Sequence, residues 1–228
     1  MPNLADLLTH SAAERPDSVA VKLDDAELSY AALDEAAARA AGLVRAKGVH
    51  PGDRVGIMLP NVTYFPICYY GALRAGAAVV PVNSLLKERE VAFHLGDSEA
   101  KVLLAWHEFA DAAQAGAEQT DTDCVLVEPG EFEALLDRCQ PVPEVAERRP
   151  DDTAVILYTS GTTGTPKGAN RSQPKSMDPI AALLDRIPLK AREVNVDLQQ
   201  PESLCVDPIR IDKGDKVTLT LEFAGRRR

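Results

Sequence analysis

Apolar residues recur along the first part of the chain with two alternating periods. Leu4, Leu7, Leu8 and Ala12 are spaced as one face of a helix, and past Arg15-Pro16-Asp17 the string Val19-Ala20-Val21, Asp24-Asp25 and Leu28 reads as a short hairpin. A longer helix is predicted next. Ser29 suits its N-cap, Leu33, Ala37, Ala40 and Val44 form its apolar face, and Arg45 and Lys47 suit its last turn. Gly48 fits the left-handed position that ends such a helix. Arg54 to Leu59 is an apolar run of strand length, stopped by Pro60-Asn61. The following helix is expected to start near Tyr64 and run to about Ala75, because Pro66 is tolerated only in a first turn.

The same alternation continues. Ala78 to Val82, Val102 to Ala105 and Cys124 to Val127 are strand-like, whereas Lys87 to Gly96 and His107 to Ala115 are helix-like. Strands alternating with helices in this way predict an α/β fold, a mostly parallel sheet with flanking helices. Gln140 to Pro150 is a polar, proline-bearing connector, and Thr153 to Tyr158 is one more apolar strand.

Beyond Gly168 the texture changes. Residues 1–168 carry 14 Lys/Arg against 26 Asp/Glu, whereas residues 169–228 carry 11 against 9, and alanine falls from 28 to 5. Asn170 to Lys175 is polar and rich in breakers, Ile180 to Leu184 could form a helical turn, and Val217, Leu219, Leu221 and Phe223 alternate as in a half-buried strand. Two regions are therefore expected: residues 1–168, and a tail of different character with some β content at 169–228.

Charge and composition narrow the function. A net charge of −10 opposes nonspecific attraction to nucleic-acid phosphates, so no nucleic-acid partner is expected, and Arg226-Arg227-Arg228 is too short to reverse that. No run approaches the roughly 18 apolar residues of a transmembrane helix. The opening Met1-Pro2-Asn3-Leu4 lacks a signal-peptide pattern, which points to the cytoplasm. Cys68, Cys124, Cys139 and Cys205 are too scattered for a disulfide framework or a zinc site, and His10, His50, His94 and His107 sit in no nucleophile motif. No metal-ligating residue and no catalytic histidine is assigned.

The chemistry gathers in one string, Tyr158-Thr159-Ser160-Gly161-Thr162-Thr163-Gly164-Thr165-Pro166-Lys167-Gly168. Glycines let backbone N–H groups come close to phosphate oxygens, hydroxyls donate without adding charge, and a lysine adds a mobile point charge. A Walker-type loop is excluded, since its second glycine would fall on Pro166.

The ordered string resembles the signature of the adenylate-forming superfamily: acyl-CoA synthetases, luciferases and peptide-synthetase adenylation domains. Leu28-Ser29-Tyr30-Ala31-Ala32-Leu33, Gly48-Val49-His50-Pro51-Gly52-Asp53-Arg54-Val55, Met58-Leu59-Pro60-Asn61 and Gly71-Ala72-Leu73-Arg74-Ala75-Gly76 resemble that family's N-terminal landmarks, in family order. The stretch from Tyr64-Phe65-Pro66 through Phe93-His94-Leu95-Gly96-Asp97-Ser98 looks closest to actinobacterial fatty-acid ligases, and the resemblance covers residues 1 to about 169. It implies ATP with magnesium, a fatty acid or other carboxylate, and coenzyme A as co-substrate. The carboxylate attacks the α-phosphate to give acyl-AMP and pyrophosphate, and a thiol then displaces AMP. By resemblance, Thr159, Ser160, Gly161, Thr162, Thr163 and Gly164 would hold the β- and γ-phosphates, with Lys167 as a nearby cation.

The resemblance stops there. In the family, Gly168-Ala169 would run on into a helix and most of a catalytic domain. The remaining sequence has no aromatic-Gly-x-Thr-Glu string for adenine and the carboxylate, no ribose aspartate motif and no C-terminal Gly-Lys motif. The expectation is an incomplete N-terminal domain of the adenylate-forming fold joined to an unrelated tail. As these 228 residues alone it would be a truncated, inactive ligase, a remnant or a regulatory nucleotide-binding module.

Overall fold

The computed structural model describes residues 3–159, 167–173, 192–196 and 217–221. The chain divides into two compact units, residues 1–177 and 178–228.

The first unit opens with helix α1 (Asp6–Glu14) and an antiparallel hairpin, β1 (Val19–Leu23) with β2 (Ala26–Ser29). Helix α2 (Tyr30–Ala46) starts where expected: the Ser29 hydroxyl accepts from the Ala32 backbone N–H at 3.2 Å, satisfying one of the donors a helix start leaves free. Leu33, Ala37, Ala40 and Val44 are all buried, and Gly48 adopts φ +80° to turn the chain back.

A six-stranded sheet follows, built from β3 (Arg54–Met58), β4 (Ala78–Pro81), β5 (Ala100–Trp106), β6 (Asp123–Val127), β7 (Thr153–Thr159) and β8 (Lys167–Ser172) in spatial order β6-β5-β3-β4-β7-β8. The first five of these strands run parallel, and β8 is antiparallel to β7. The connecting helices are α3 (Tyr64–Arg74), α4 (Glu88–Ser98), α5 (Ala110–Glu118, preceded by a 3₁₀ turn at His107–Phe109) and α6 (Glu131–Asp137). Mixed α/β layering with a mostly parallel sheet is therefore the architecture of this unit, as the periodicities predict.

Strand side chains alternate between two cores. Val55, Ile57, Val79, Val102 and Leu104 pack under α2, α3 and α6 with Leu33, Cys68, Leu73 and Phe132. Met58, Val80, Leu103 and Ala105 pack under α4 and α5 with Val91, Leu95, Ala113 and Ala117. The helix after β3 thus covers one face and the helix after β4 the other, so the connections diverge at the C-terminal ends of neighbouring strands. Crevices for ligands form at such a switch point.

One expectation needs correction, and one helix was not read in the sequence. Helix α6 was not foreseen, because it is only seven residues long and follows a turn at Gly130 rather than a long apolar period. The polar stretch from Asn170 is not a loop at its start: residues 167–172 form β8, whose backbone pairs with β7 from Thr153↔Ser172 to Thr159↔Lys167. A sheet edge satisfies backbone groups whatever the polarity of the side chains. The second unit, taken by itself, shows β9 (Arg192–Val196) antiparallel to β10 (Val217–Leu221). The strand expected around Val217 to Leu221 is therefore present, whereas its half-burial and the helical turn at Ile180 to Leu184 lie outside the described residues.

Candidate functional site

The end of β7 brings the phosphate-type string to the same rim as the ends of β3 and β4. Thr159 closes β7 and Lys167 opens β8, and the two are backbone partners across the hairpin. Residues 160–166, which include Ser160, Gly161, Thr162, Thr163 and Gly164, lie outside the described residues, as do the side chains of Thr159 and Lys167. What the structure places is the base of the loop, and that base is well defined by its neighbours.

Tyr158, half-buried on β7, is at the centre of it. Its hydroxyl donates to Asp97 Oδ2 at 2.6 Å, and its ring stacks on the His94 imidazole with centroids 4.3 Å apart and planes inclined by 16°. Phe93 meets the same ring edge-on at 6.2 Å. Across the hairpin, Tyr158 pairs with Gly168, where an added Cβ would come within 3.2 Å of the tyrosine ring. Phe93, His94 and Asp97 come from one helix, α4. Its start is held by Glu90, whose carboxylate accepts from the Lys87 backbone N–H at 2.9 Å.

Electrostatics separate these groups. Burial, followed by the hydrogen bond to Asp97, pushes the Tyr158 hydroxyl well above its ordinary range, so it stays a protonated donor. Burial pulls the His94 pKa below that of a free imidazole, although Glu90 and Asp97 act in the opposite direction. His94 Nδ1 is buried without a hydrogen-bond partner. A cavity of about 850 Å³ opens beside these residues, lined by Val82, Asn83, Leu86, Phe93, His94 and Tyr158 with Lys87, Arg89 and Glu90 among its polar groups. That size lies within the range of small-molecule sites.

Sequence reasoning missed Asp97, His94 and Phe93 as neighbours of the loop. Sixty-one residues separate Asp97 from Tyr158, and only the i, i+3 spacing of His94 and Asp97 marks them as one helix face. Among the described residues, no group of three acidic, histidine or cysteine side chains could hold a metal, and no helix is long and apolar enough to cross a membrane. Cys68 is buried, Cys124 and Cys139 are half-buried, and all three are free thiols; burial raises the Cys124 pKa to about 11.

Comparison with known proteins settles the family. The model of the AMP-binding enzymes matches residues 8–209. The chain belongs to the AMP-binding enzyme family. A long-chain-fatty-acid–CoA ligase of Mycobacterium tuberculosis, FadD13, is 35% identical over 147 residues, covering 63% of this chain and 29% of that protein. A feruloyl-CoA synthase of Amycolatopsis is 37% identical over 154 residues, covering 68% of this chain and 30% of that protein. Among solved structures, the N-terminal domain of FACL13 from Mycobacterium tuberculosis superposes with a TM-score of 0.74 at 30% identity, covering 85% of this chain and 50% of that one. An anthranilate CoA ligase in complex with anthranoyl-AMP gives 0.72 at 26% identity, covering 79% and 36%. The fold is therefore that of the N-terminal domain of adenylate-forming enzymes, and the chain spans about three tenths of the length of these two curated relatives.

Proposed function

We propose that the chain carries the phosphate-holding part of an ATP-dependent acyl-CoA ligase that activates a fatty acid or another carboxylate as its adenylate and passes the acyl group to coenzyme A. The observation that supports this reading is the string from Thr159 to Lys167, which joins the end of β7 to the start of β8 on a fold shared with CoA ligases. Its donor set suits a polyphosphate. Thr159, Ser160, Thr162 and Thr163 offer hydroxyls, Gly161 and Gly164 offer close backbone N–H groups, and Lys167 offers charge for the departing pyrophosphate. Magnesium bound to ATP would add to that charge neutralisation, and no side chain of this chain is assigned to the metal.

As 228 residues alone, the chain is better described as a nucleotide-holding module than as a complete catalyst. Adenylation requires carboxylate, ribose and α-phosphate to be held in line, an effect of about 7–11 kcal/mol in favourable cases. One phosphate loop supplies a few charge-assisted hydrogen bonds of about 1.5–3 kcal/mol each, offset by the entropy of ordering the loop. The division into a family region at residues 1–168 and a non-family tail at 169–228 is likewise a proposal, supported by the shift in charge and alanine content, although β8 crosses that boundary and the family match runs on to residue 209.

The experiment is an assay of the 228-residue chain with ATP, magnesium, a fatty acid and coenzyme A, alongside calorimetric titration with Mg-ATP. The expected result is neither acyl-AMP nor acyl-CoA above background, with weak ATP binding that a Thr163→Ala, Lys167→Ala double variant removes. Carboxylate-dependent exchange of pyrophosphate into ATP would sink the module reading. ATP binding that the double variant leaves untouched would sink the assignment of the loop.

A further inference from the structure

We propose that His94 and Asp97 are positioning residues for the phosphate loop, acting through Tyr158. The inference rests on the loop reading above and adds a second element, helix α4, to the machinery that shapes the loop. Tyr158 is the residue immediately before Thr159, and its ring lies against Gly168, the residue immediately after Lys167. One side chain thus touches both ends of the hairpin from which the loop springs.

Besides the edge-on Phe93, two contacts from α4 fix that ring. The 2.6 Å hydrogen bond to Asp97 sets the direction of the hydroxyl, and the His94 stack at 4.3 Å sets the plane. An isolated, half-exposed tyrosine would move between rotamers and leave its place against Gly168. Held at face and tip, it cannot do so without breaking both contacts. Gly168 completes the arrangement, because a side chain there would push the ring off the hairpin.

His94 has the features of a group kept for this contact rather than for general packing. It is 7% exposed, and its Nδ1 has no hydrogen-bond partner, so a leucine or phenylalanine would fill the space without leaving a polar atom orphaned. What the imidazole supplies to the site is a flat face against Tyr158. Helix α4 also lines the 850 Å³ cavity through Lys87, Arg89, Glu90 and Phe93, so the residues that hold Tyr158 and one wall of the cavity belong to the same element.

The test compares the 228-residue chain with His94→Ala, His94→Phe and Tyr158→Phe variants by amide hydrogen exchange, and by titration with magnesium pyrophosphate. His94→Ala should speed exchange at Thr159 and Lys167 about tenfold and weaken pyrophosphate binding at least tenfold, with β3 and β5 unchanged. His94→Phe restores a flat ring and should bring both readouts back to within about twofold of the parent. Should His94→Ala loosen β3 and β5 as well, Tyr158→Phe decides, since it deletes one oxygen and leaves the stack. Unchanged exchange at the two loop ends in His94→Ala, or in Tyr158→Phe where it is the deciding variant, overturns the proposal. Pyrophosphate binding that is present in the parent and unaltered in His94→Ala overturns it too, while leaving the loop reading intact. A parent chain with no pyrophosphate affinity would instead overturn the loop reading, and the exchange rates would then judge the clamp by themselves.

Discussion

The two faces of the sheet are built from the same kinds of residue yet finish differently. Under α2, α3 and α6 the apolar core continues to the rim, where Leu59, Trp106 and Phe132 close it and Tyr64 packs across Trp106 and Phe132 at 5.8 and 6.1 Å. Under α4 and α5 the core is smaller and stops at Val80, Val82 and Leu95, and beyond it lies the cavity beside Phe93, His94 and Tyr158. Both faces draw their helices close with glycine: an added Cβ at Gly71 would lie 2.6 Å from Ala40, and one at Gly116 would lie 2.7 Å from Val91. The difference is therefore in closure at the strand ends rather than in packing quality. One face secures the fold, and the other leaves an opening where β7 delivers its loop.

If that contrast is right, a phenylalanine should matter far more on the closed face. Phe132 is 1% exposed, and Phe132→Ala should lower unfolding free energy by about 3–5 kcal/mol, whereas Phe93→Ala, at the cavity wall, should lower it by about 1 kcal/mol or less. Urea denaturation of the two variants checks this, and equal losses would dissolve the distinction between the faces. Gly71→Ala gives the next largest effect. The new methyl group meets Ala40 and the Ala37 carbonyl in a contact that neither helix can relieve without sliding, so a loss of about 1–3 kcal/mol is expected from the same measurement. A stabilised Gly71→Ala protein would mean that α2 and α3 are free to move apart, and that the closed face is less fixed than its contacts indicate.

Much of the fold, though not this contrast, was legible in the sequence. The face Leu33, Ala37, Ala40 and Val44, the Ser29 cap, the Gly48 turn and the strand series from Arg54 to Val127 all follow from local chemistry, and the structure places each of them as expected. The loop string declared itself through residue types that serve few other purposes in that order. Three things were hidden. Helix α6 is too short to show a period. Strand β8 is made of Lys, Gly, Ala, Asn, Arg and Ser, so only its backbone partner makes it a strand. The grouping of Phe93, His94 and Asp97 with Tyr158 depends on α4 crossing to the opposite side of the sheet from α3, which no local pattern encodes.

The smallest expected effect concerns acid, and it probes the open face alone. Burial lowers the His94 pKa in the folded chain, so protons bind this imidazole more readily after unfolding. The contribution of neutral His94 to stability is then complete above the unfolded value of about 6.5 and is lost as pH falls through the folded value. Carboxylates respond lower down. Asp53 and Glu133 are partly desolvated, which by itself would raise them, but hydrogen bonds from His50 N–H and Lys101 in the first case and from Tyr64 and Gly130 N–H in the second hold both below the ordinary range. Their losses therefore begin only near or below about pH 4. Denaturation midpoints measured between pH 7 and pH 5 should decline in the parent chain and decline less in His94→Phe, which keeps a ring against Tyr158 but cannot take up a proton. Parallel declines in the two proteins would place the titrating group elsewhere, and would show that the open face tolerates a charged imidazole against the tyrosine that carries the loop.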